Sequence, residues 1–215
     1  MNTKSFLKSV DLCVITDRHF KWSHLEIVQS AVKGGTRFIQ FREKELSTRK
    51  MIERGEKLHK ITEGKALLIV NDRIDVALAV GADGVHIGQD DMPLKIARNI
   101  LGNKIIGVSA SNIHEAKKAE KEGADYLGVG SIFPTSTKGD IKVIGLSMLK
   151  DIRKIVNIPI IAIGGINEKN VGEVIEAGAD SAAVVSAIAN SDEPAQIVKN
   201  LREKIIQFKK RQVTL

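Results

Sequence analysis

The chain has 215 residues, a formal net charge of +7, and 43% hydrophobic but only 4% aromatic residues, so its core must be built mainly from Ile, Val, Leu and Ala. The short apolar runs exclude a membrane span, and the scattered Lys and Arg, clustered only at Lys209-Lys210-Arg211, lack the concentrated basic face of a nucleic-acid binder. The single cysteine, Cys13, cannot form an internal disulfide and Met1 to Val10 lacks the apolar region of a signal peptide, so a cytoplasmic protein is expected, read as one domain over residues 1–215 because no linker-like stretch divides it.

In chain order, Leu12 to Thr16 reads as a first strand, followed by a helix from Ser23 to Lys33 that Gly34-Gly35 stops. Phe38 to Arg42 is a second strand, and Ser47 caps a helix running to Thr62. Ala66 to Val70 and Gly84 to Ile87 are strands three and four, joined by a short helix between Asp75 and Gly81. Pro93 suits the first turn of the next helix. Ile105 to Ser109 is strand five, Asn112 caps a helix ending near Gly123, and Tyr126 to Gly130 is strand six. A long loop from Ser131 to Gly145 precedes a helix from Ser147 to Val156. Pro159 to Ile163 is strand seven, Asn167 to Ala177 a helix, and Ser181 to Val185 strand eight. A turn at Ala187 to Asn190 and a helix from Glu193 to Lys209 close the chain.

The strands are short continuous apolar runs, as expected when both faces are buried. Gly81-Ala82-Asp83, Gly123-Ala124-Asp125 and Gly178-Ala179-Asp180 repeat one device, a glycine helix stop leading into a strand, and Gly34-Gly35-Thr36 is a looser copy. Eight β/α pairs with a recurring αβ turn predict an α/β fold, a single (β/α)8 TIM barrel, with its active site at the C-terminal rim of the strands. A doubly wound open sheet is the alternative. Against it, Asp17-Arg18-His19-Phe20 follows strand one where a Gly-rich nucleotide loop would be expected.

The rim then assembles a candidate site. Parallel strands three and four end on one side, which brings Asp72 and Asp91 together. Two carboxylates there suit a hard cation such as Mg²⁺, which takes its remaining ligands from water and phosphate. Taken alone, Asp72 reads rather as a helix cap and Asp91 as an ordinary turn residue, and it is the rest of the rim that reverses this. Alternation puts Gln40, Arg42 and Lys44 on one face of strand two, although Arg42 and Lys44 also have Glu43 and Glu45 as surface partners. Asn71 and Ser109 end strands three and five. Thr135, Ser136, Thr137 and Lys138 lie in the long loop, which alone reads as a solvated turn. Gly164-Gly165 after strand seven, with Val185-Ser186 after strand eight, forms the usual barrel phosphate site. The set points to two phosphorylated groups, one of them metal-bound. His86, inside strand four, reads as a core or second-layer histidine rather than a catalytic base, and no Ser–His–Asp set suggests nucleophilic catalysis.

The motifs, in order, resemble the thiamine-phosphate synthase family. They are Val14-Ile15-Thr16-Asp17-Arg18, Gln40-Phe41-Arg42-Glu43-Lys44, Asn71-Asp72-Arg73, Gly84 to Pro93, Gly107-Val108-Ser109, Gly128 to Lys138 and Ile163-Gly164-Gly165-Ile166. The resemblance runs from Leu12 to the last helix. It implies a transferase of thiamine biosynthesis in which a hydroxymethylpyrimidine diphosphate loses pyrophosphate and a thiazole phosphate attacks through nitrogen, with CO₂ lost from the carboxylated thiazole. It further implies that Gln40, Phe41, Arg42, Glu43, Lys44, Asn71, Ser109 and Lys138 hold the pyrimidine diphosphate. Among these, Lys138, Arg42, Lys44 and Ser109 would carry the catalysis. Thr135, Ser136, Thr137, Gly165, Val185 and Ser186 would hold the thiazole phosphate, and Asp72 and Asp91 would bind Mg²⁺ as cofactor. Small phosphorylated substrates are the expected partners, neither nucleic acid nor membrane, with a homo-oligomer left open.

Two rivals share the barrel. The paralogous thiazole tautomerase branch, which this chain also resembles, uses a histidine two residues beyond the Ser109 position, where this chain has Ser111 with His114 out of register, and tends to lack the acidic pair. A non-catalytic barrel sensing thiamine phosphate would need neither the acidic pair nor the diphosphate groups.

Overall fold

The eight apolar runs become eight strands in the computed structural model, which describes residues 7, 9–135 and 142–213. They are β1 (Leu12–Ile15), β2 (Phe38–Phe41), β3 (Leu67–Asn71), β4 (Gly84–Ile87), β5 (Ile105–Ala110), β6 (Tyr126–Val129), β7 (Ile160–Ile163) and β8 (Ser181–Val184). All neighbours pair in parallel, and β8 returns to β1 to close the barrel in sequence order. The helices are α1 (His24–Lys33), α2 (Thr48–Thr62), α3 (Ile74–Ala79), α4 (Leu94–Leu101), α5 (Ile113–Glu122), α6 (Gly145–Ile155), α7 (Val171–Glu176), α8 (Ser186–Ala189) and α9 (Pro194–Val213). No helix among the described residues is long and apolar enough to cross a membrane.

Period-two alternation divides the core into two layers. Cys13, Ile15, Phe38, Ile69, Ile105, Tyr126, Ile161 and Ala183 point inward and pack together inside the barrel. The residues between them, including Val14, Ile39, Phe41, Val70 and Leu127, point outward and pack under the helices. With so few aromatics, one large ring fills much of the interior. Tyr126 is buried and meets Phe38 edge to face, with centroids 5.4 Å apart. Its neighbour in register is Gly107, where any Cβ would overlap the Tyr126 ring. In the outer layer Leu127 is fully buried, and Leu127→Ala should lower the unfolding free energy by about 2–5 kcal/mol in a urea titration.

The Gly-Ala-Asp repeat does more than stop helices. Gly81, Gly123 and Gly178 have φ of 72°, 93° and 101°, the left-handed region that favours glycine. The aspartate that follows then ties two strands together. Asp83, Asp125 and Asp180 accept the backbone N–H groups of Leu68, Ile106 and Ile160 at 2.7, 2.8 and 2.8 Å, each on the strand before its own. Arg98 and Arg153 pair with the second and third of these carboxylates at 2.6 and 2.9 Å. Thr36 performs a related task, its hydroxyl donating to the Leu12 carbonyl at 2.6 Å. These stitches close the N-terminal end of the barrel and leave the other end open for chemistry.

Most element boundaries agree with the sequence reading to within a few residues. The expected helix from Asn167 begins only at Val171. The reason is local, since the Asn167 amide donates to Asn170 Oδ1 and Asn167 Oδ1 accepts from the Lys169 amide, so side chains organise a turn where helix bonds would run. The turn expected after β8 is the single helical turn α8.

Candidate active site

A cavity of about 530 Å³ opens at the C-terminal ends of the strands. Its floor is the inner barrel layer, with Cys13, Ile15, Tyr126, Ile161, Ile163 and Ala183 exposed to it. Burial raises the Cys13 thiol far above its ordinary pKa, so it is an inert part of that floor.

Of the expected site residues, Gln40, Arg42, Lys44, Asn71, Asp72, Asp91, Ser109, Thr135, Gly165, Val185 and Ser186 line this one cavity. Ser136, Thr137 and Lys138 lie outside the described residues. Phe41 and Glu43 do not line the cavity, which leaves only their backbone for the expected contact. Both side chains turn outward, Phe41 into the layer under the helices and Glu43 to a buried hydrogen bond with His24. The strand alternation that puts Gln40 and Arg42 inside demands this.

The acidic pair forms where β3 and β4 end. Asp72 is the first residue past β3, with φ of 62°, a left-handed conformation that aspartate tolerates better than most residues. Its amide donates to the His86 carbonyl at 2.8 Å. Asp91 Oδ2 accepts the Gly88 amide at 2.6 Å, which folds the segment after β4 back toward the rim. Burial, together with the neighbouring Asp91 and against the pull of Lys44, raises the Asp72 pKa. Asp91 moves down, because its hydrogen bonds from Asp72 and Gly88 outweigh its own burial. The two carboxyl groups are thus electrostatically linked, Asp72 being the harder of the two to ionise.

This pair fits a hard divalent cation by its oxygen donors and by the like-charge conflict that a cation would relieve. Among the described residues, no group of three or more His, Cys, Asp or Glu side chains forms a complete metal cage. A cation here would draw its other ligands from solvent or an anionic substrate.

The cations stand beside the pair. The Lys44 ammonium bonds Asp72, and the Arg42 guanidinium bonds Asp17, which is almost fully buried. Asp17 is a residue the sequence reading left without a role, yet it fixes the arginine. Its other oxygen accepts the His19 amide at 3.0 Å.

A chain of side chains crosses the floor between these groups and Ser109. His86 Nε2 is 2.9 Å from Ser109 Oγ, and His86 Nδ1 is 3.0 Å from the Tyr126 hydroxyl. The imidazole has room because its neighbour on β6 is Gly128, where a Cβ would sit 2.7 Å from the ring. His86 thus lies behind Ser109 at the cavity floor, the place of a second-layer histidine, although its particular partners were not read from the sequence. Gln89 also reaches this strand end, its amide donating to the Ser109 carbonyl at 2.5 Å.

The opposite wall is backbone. Residues after β6 zip along the end of β7, with Ile132 and Phe133 amides donating to the Ile163 and Gly164 carbonyls at 2.9 and 3.0 Å. This folds Thr135 over the Gly164-Gly165 turn. Gly165 has φ of 63°, and a Cβ there would lie 2.5 Å from the Pro134 carbonyl oxygen. No side chain fits between loop and turn, so the Gly165 backbone stays open to the cavity. Ser186, at the start of α8, completes this wall.

Comparisons with known proteins agree with this geometry. A family model described as thiamine monophosphate synthase matches residues 12–188. The thiamine-phosphate synthase of Chloroflexus aurantiacus is 52% identical over 195 residues, covering 89% of this chain and 90% of that one. That of Pyrococcus horikoshii is 51% identical over 203 residues, covering 94% and 96%. The solved structure of thiamine phosphate pyrophosphorylase from Pyrococcus furiosus superposes with a TM-score of 0.89 at 45% identity, covering 94% of this chain and 98% of that one.

Proposed function

Because the chain belongs to the thiamine monophosphate synthase family, we propose that its rim cavity joins an aminopyrimidine methylene to the nitrogen of a thiazole phosphate, with loss of pyrophosphate. The chain is a transferase of thiamine biosynthesis, a thiamine-phosphate synthase by activity. One observation carries the assignment of the site. In a closed eight-stranded barrel, the ends of β2–β4 and β6–β8 face each other, so the cationic and acidic groups oppose the glycine wall across one cavity. Two anionic groups then bind at opposite ends, with the reacting atoms between them.

In this reading the pyrimidine diphosphate takes Gln40, Arg42, Lys44, Asn71 and Ser109, joined by Lys138. Asp72 and Asp91 would hold Mg²⁺, which supplies positive charge to the diphosphate oxygens. The thiazole phosphate takes the backbone of Gly165, Val185 and Ser186 with the hydroxyls of Thr135, Ser136 and Thr137. A cytoplasmic setting fits the buried, free Cys13.

The chemistry needs neither nucleophilic side chain nor strong base. The C–O bond to pyrophosphate breaks, and its electron pair leaves with the phosphate oxygen. The electron-rich aminopyrimidine carries the positive charge left on its methylene until the thiazole nitrogen donates its own pair. Arg42, held by Asp17, and Lys44 present fixed positive charge where negative charge grows. The glycine wall fixes the second substrate, which removes part of its entropy of approach. Ser109, oriented by His86, positions the pyrimidine.

Purified protein with Mg²⁺ should form thiamine phosphate and pyrophosphate in equal amounts, and only when both half-molecules are present. Isomerisation of a thiazole phosphate alone would identify a tautomerase, and binding of thiamine phosphate without turnover a sensor. Gly165→Val tests which wall is which. It should raise KM for the thiazole phosphate more than that for the pyrimidine diphosphate, because a side chain there pushes against Pro134 and Phe133 and displaces the wall that receives the phosphate. The reverse ranking would exchange the two ends.

A further inference from the structure

Two residues of the Gln40 to Lys44 segment face away from the cavity, and both meet the same buried histidine. We propose that His24 is a positioning residue for the diphosphate end of the cavity: through Thr16 and Glu43 it braces the end of β1 against the end of β2, and so sets the direction of Arg42 and Lys44. The inference rests on the assignment of the diphosphate to those two cations.

The contacts form a closed set. His24, on α1, lies behind both strand ends with its Nδ1 2.7 Å from Thr16 Oγ1 and its Nε2 3.2 Å from Glu43 Oε2. The His24 and Glu43 side chains are 1% and 0% exposed, so water cannot replace either partner. Phe41 packs edge to face against the imidazole, with centroids 5.1 Å apart. Thr16 Oγ1 also accepts the Arg42 amide at 3.3 Å, and the Thr16 amide donates to the Gln40 carbonyl at 2.9 Å. The other Glu43 oxygen accepts the amides of Glu45 and Leu46 at 2.8 and 3.3 Å, which fixes the backbone just past Lys44. Thr16 is followed directly by Asp17, which holds the Arg42 guanidinium. His24 therefore grips both Thr16, next to Asp17, and Glu43, the residue between the two cations.

Proton accounting gives the brace one direction. The carboxylate of Glu43 only accepts, so His24 Nε2 carries a proton and donates it. Thr16 Oγ1 already accepts from the Arg42 amide, and its own proton needs an acceptor. An unprotonated Nδ1 provides that acceptor. The neutral imidazole with its proton on Nε2 thus satisfies every group, and burial favours the neutral form by lowering the His24 pKa.

The test has two arms. Nitrogen-15 NMR of the wild-type protein without substrate, at neutral pH, should show His24 neutral and protonated at Nε2. Protonation at Nδ1, or an imidazolium, overturns the brace. His24→Phe keeps the ring and removes both bonds, and Thr16→Val removes the hydroxyl alone. Each should raise KM for the pyrimidine diphosphate by about tenfold and leave KM for the thiazole phosphate nearly unchanged, with Thr16→Ser close to wild type. Equal movement of both KM values, or a fall in kcat alone, would mark a merely structural histidine and overturn the proposal. If His24→Phe does not fold, the NMR and Thr16→Val still decide. Arg42→Ala separates the two levels. An unchanged pyrimidine KM there refutes the site assignment itself, whereas a large effect there with none from His24 or Thr16 refutes only the brace.

Discussion

Asp72→Asn and Asp91→Ala are each expected to lower kcat/KM by about 10²-fold or more while leaving the protein folded, because each removes a carboxylate that would hold the Mg²⁺ ion proposed to neutralise the diphosphate. Asparagine is the right replacement at position 72. The backbone there has φ of 62°, which asparagine adopts readily and alanine only with strain. Asp91→Ala also frees the Gly88 amide, but that bond lies at the rim and carries none of the inner core. Excess chelator should reproduce the loss in the wild-type protein and have little further effect on either variant. Full activity of both variants in chelator would remove the metal from the reaction.

An electron-withdrawing substituent on the pyrimidine ring should slow the chemical step by about 10²-fold or more, measured in a single turnover, if charge on the methylene develops to an extent worth several kcal/mol. The reasoning comes from the walls of the cavity. The Cys13 thiol is locked in its neutral form by burial, and Ser109 meets a histidine that is itself tied to Tyr126. What the rim offers is fixed positive charge for a leaving group, the provision suited to a bond that breaks early. A chemical step unchanged or accelerated by the substituent would favour direct displacement by the thiazole nitrogen.

Much of the fold was legible because its signals are local. Short apolar runs, glycine helix stops and the Gly-Ala-Asp repeat each act within a few residues, and eight of them in order imply closure. What the repeat's aspartates do was hidden, because Asp83, Asp125 and Asp180 bond backbone 15 to 20 residues away. In the site, two kinds of sequence reading disagreed at β2. Alternation placed Gln40, Arg42 and Lys44 in the cavity, while the resemblance to a contiguous motif added Phe41 and Glu43. The pleat of the strand turns the Phe41 and Glu43 side chains outward, where they build the layer behind. The His86–Tyr126–Ser109 chain was illegible for another reason. Its contacts span 40 and 23 residues and depend on the space left by Gly107 and Gly128, which the register of β4, β5 and β6 brings opposite the rings.

The measurement closest to the central claim is a calorimetric titration of pyrophosphate into the protein, with and without Mg²⁺, in the wild type and in Asp72→Asn and Asp91→Ala. If Arg42, Lys44 and the acidic pair form one receptor for the leaving group, pyrophosphate should bind tightly to the wild type only with Mg²⁺, and the variants should lose that dependence. Equal affinity in all samples, with or without the cation, would contradict the account.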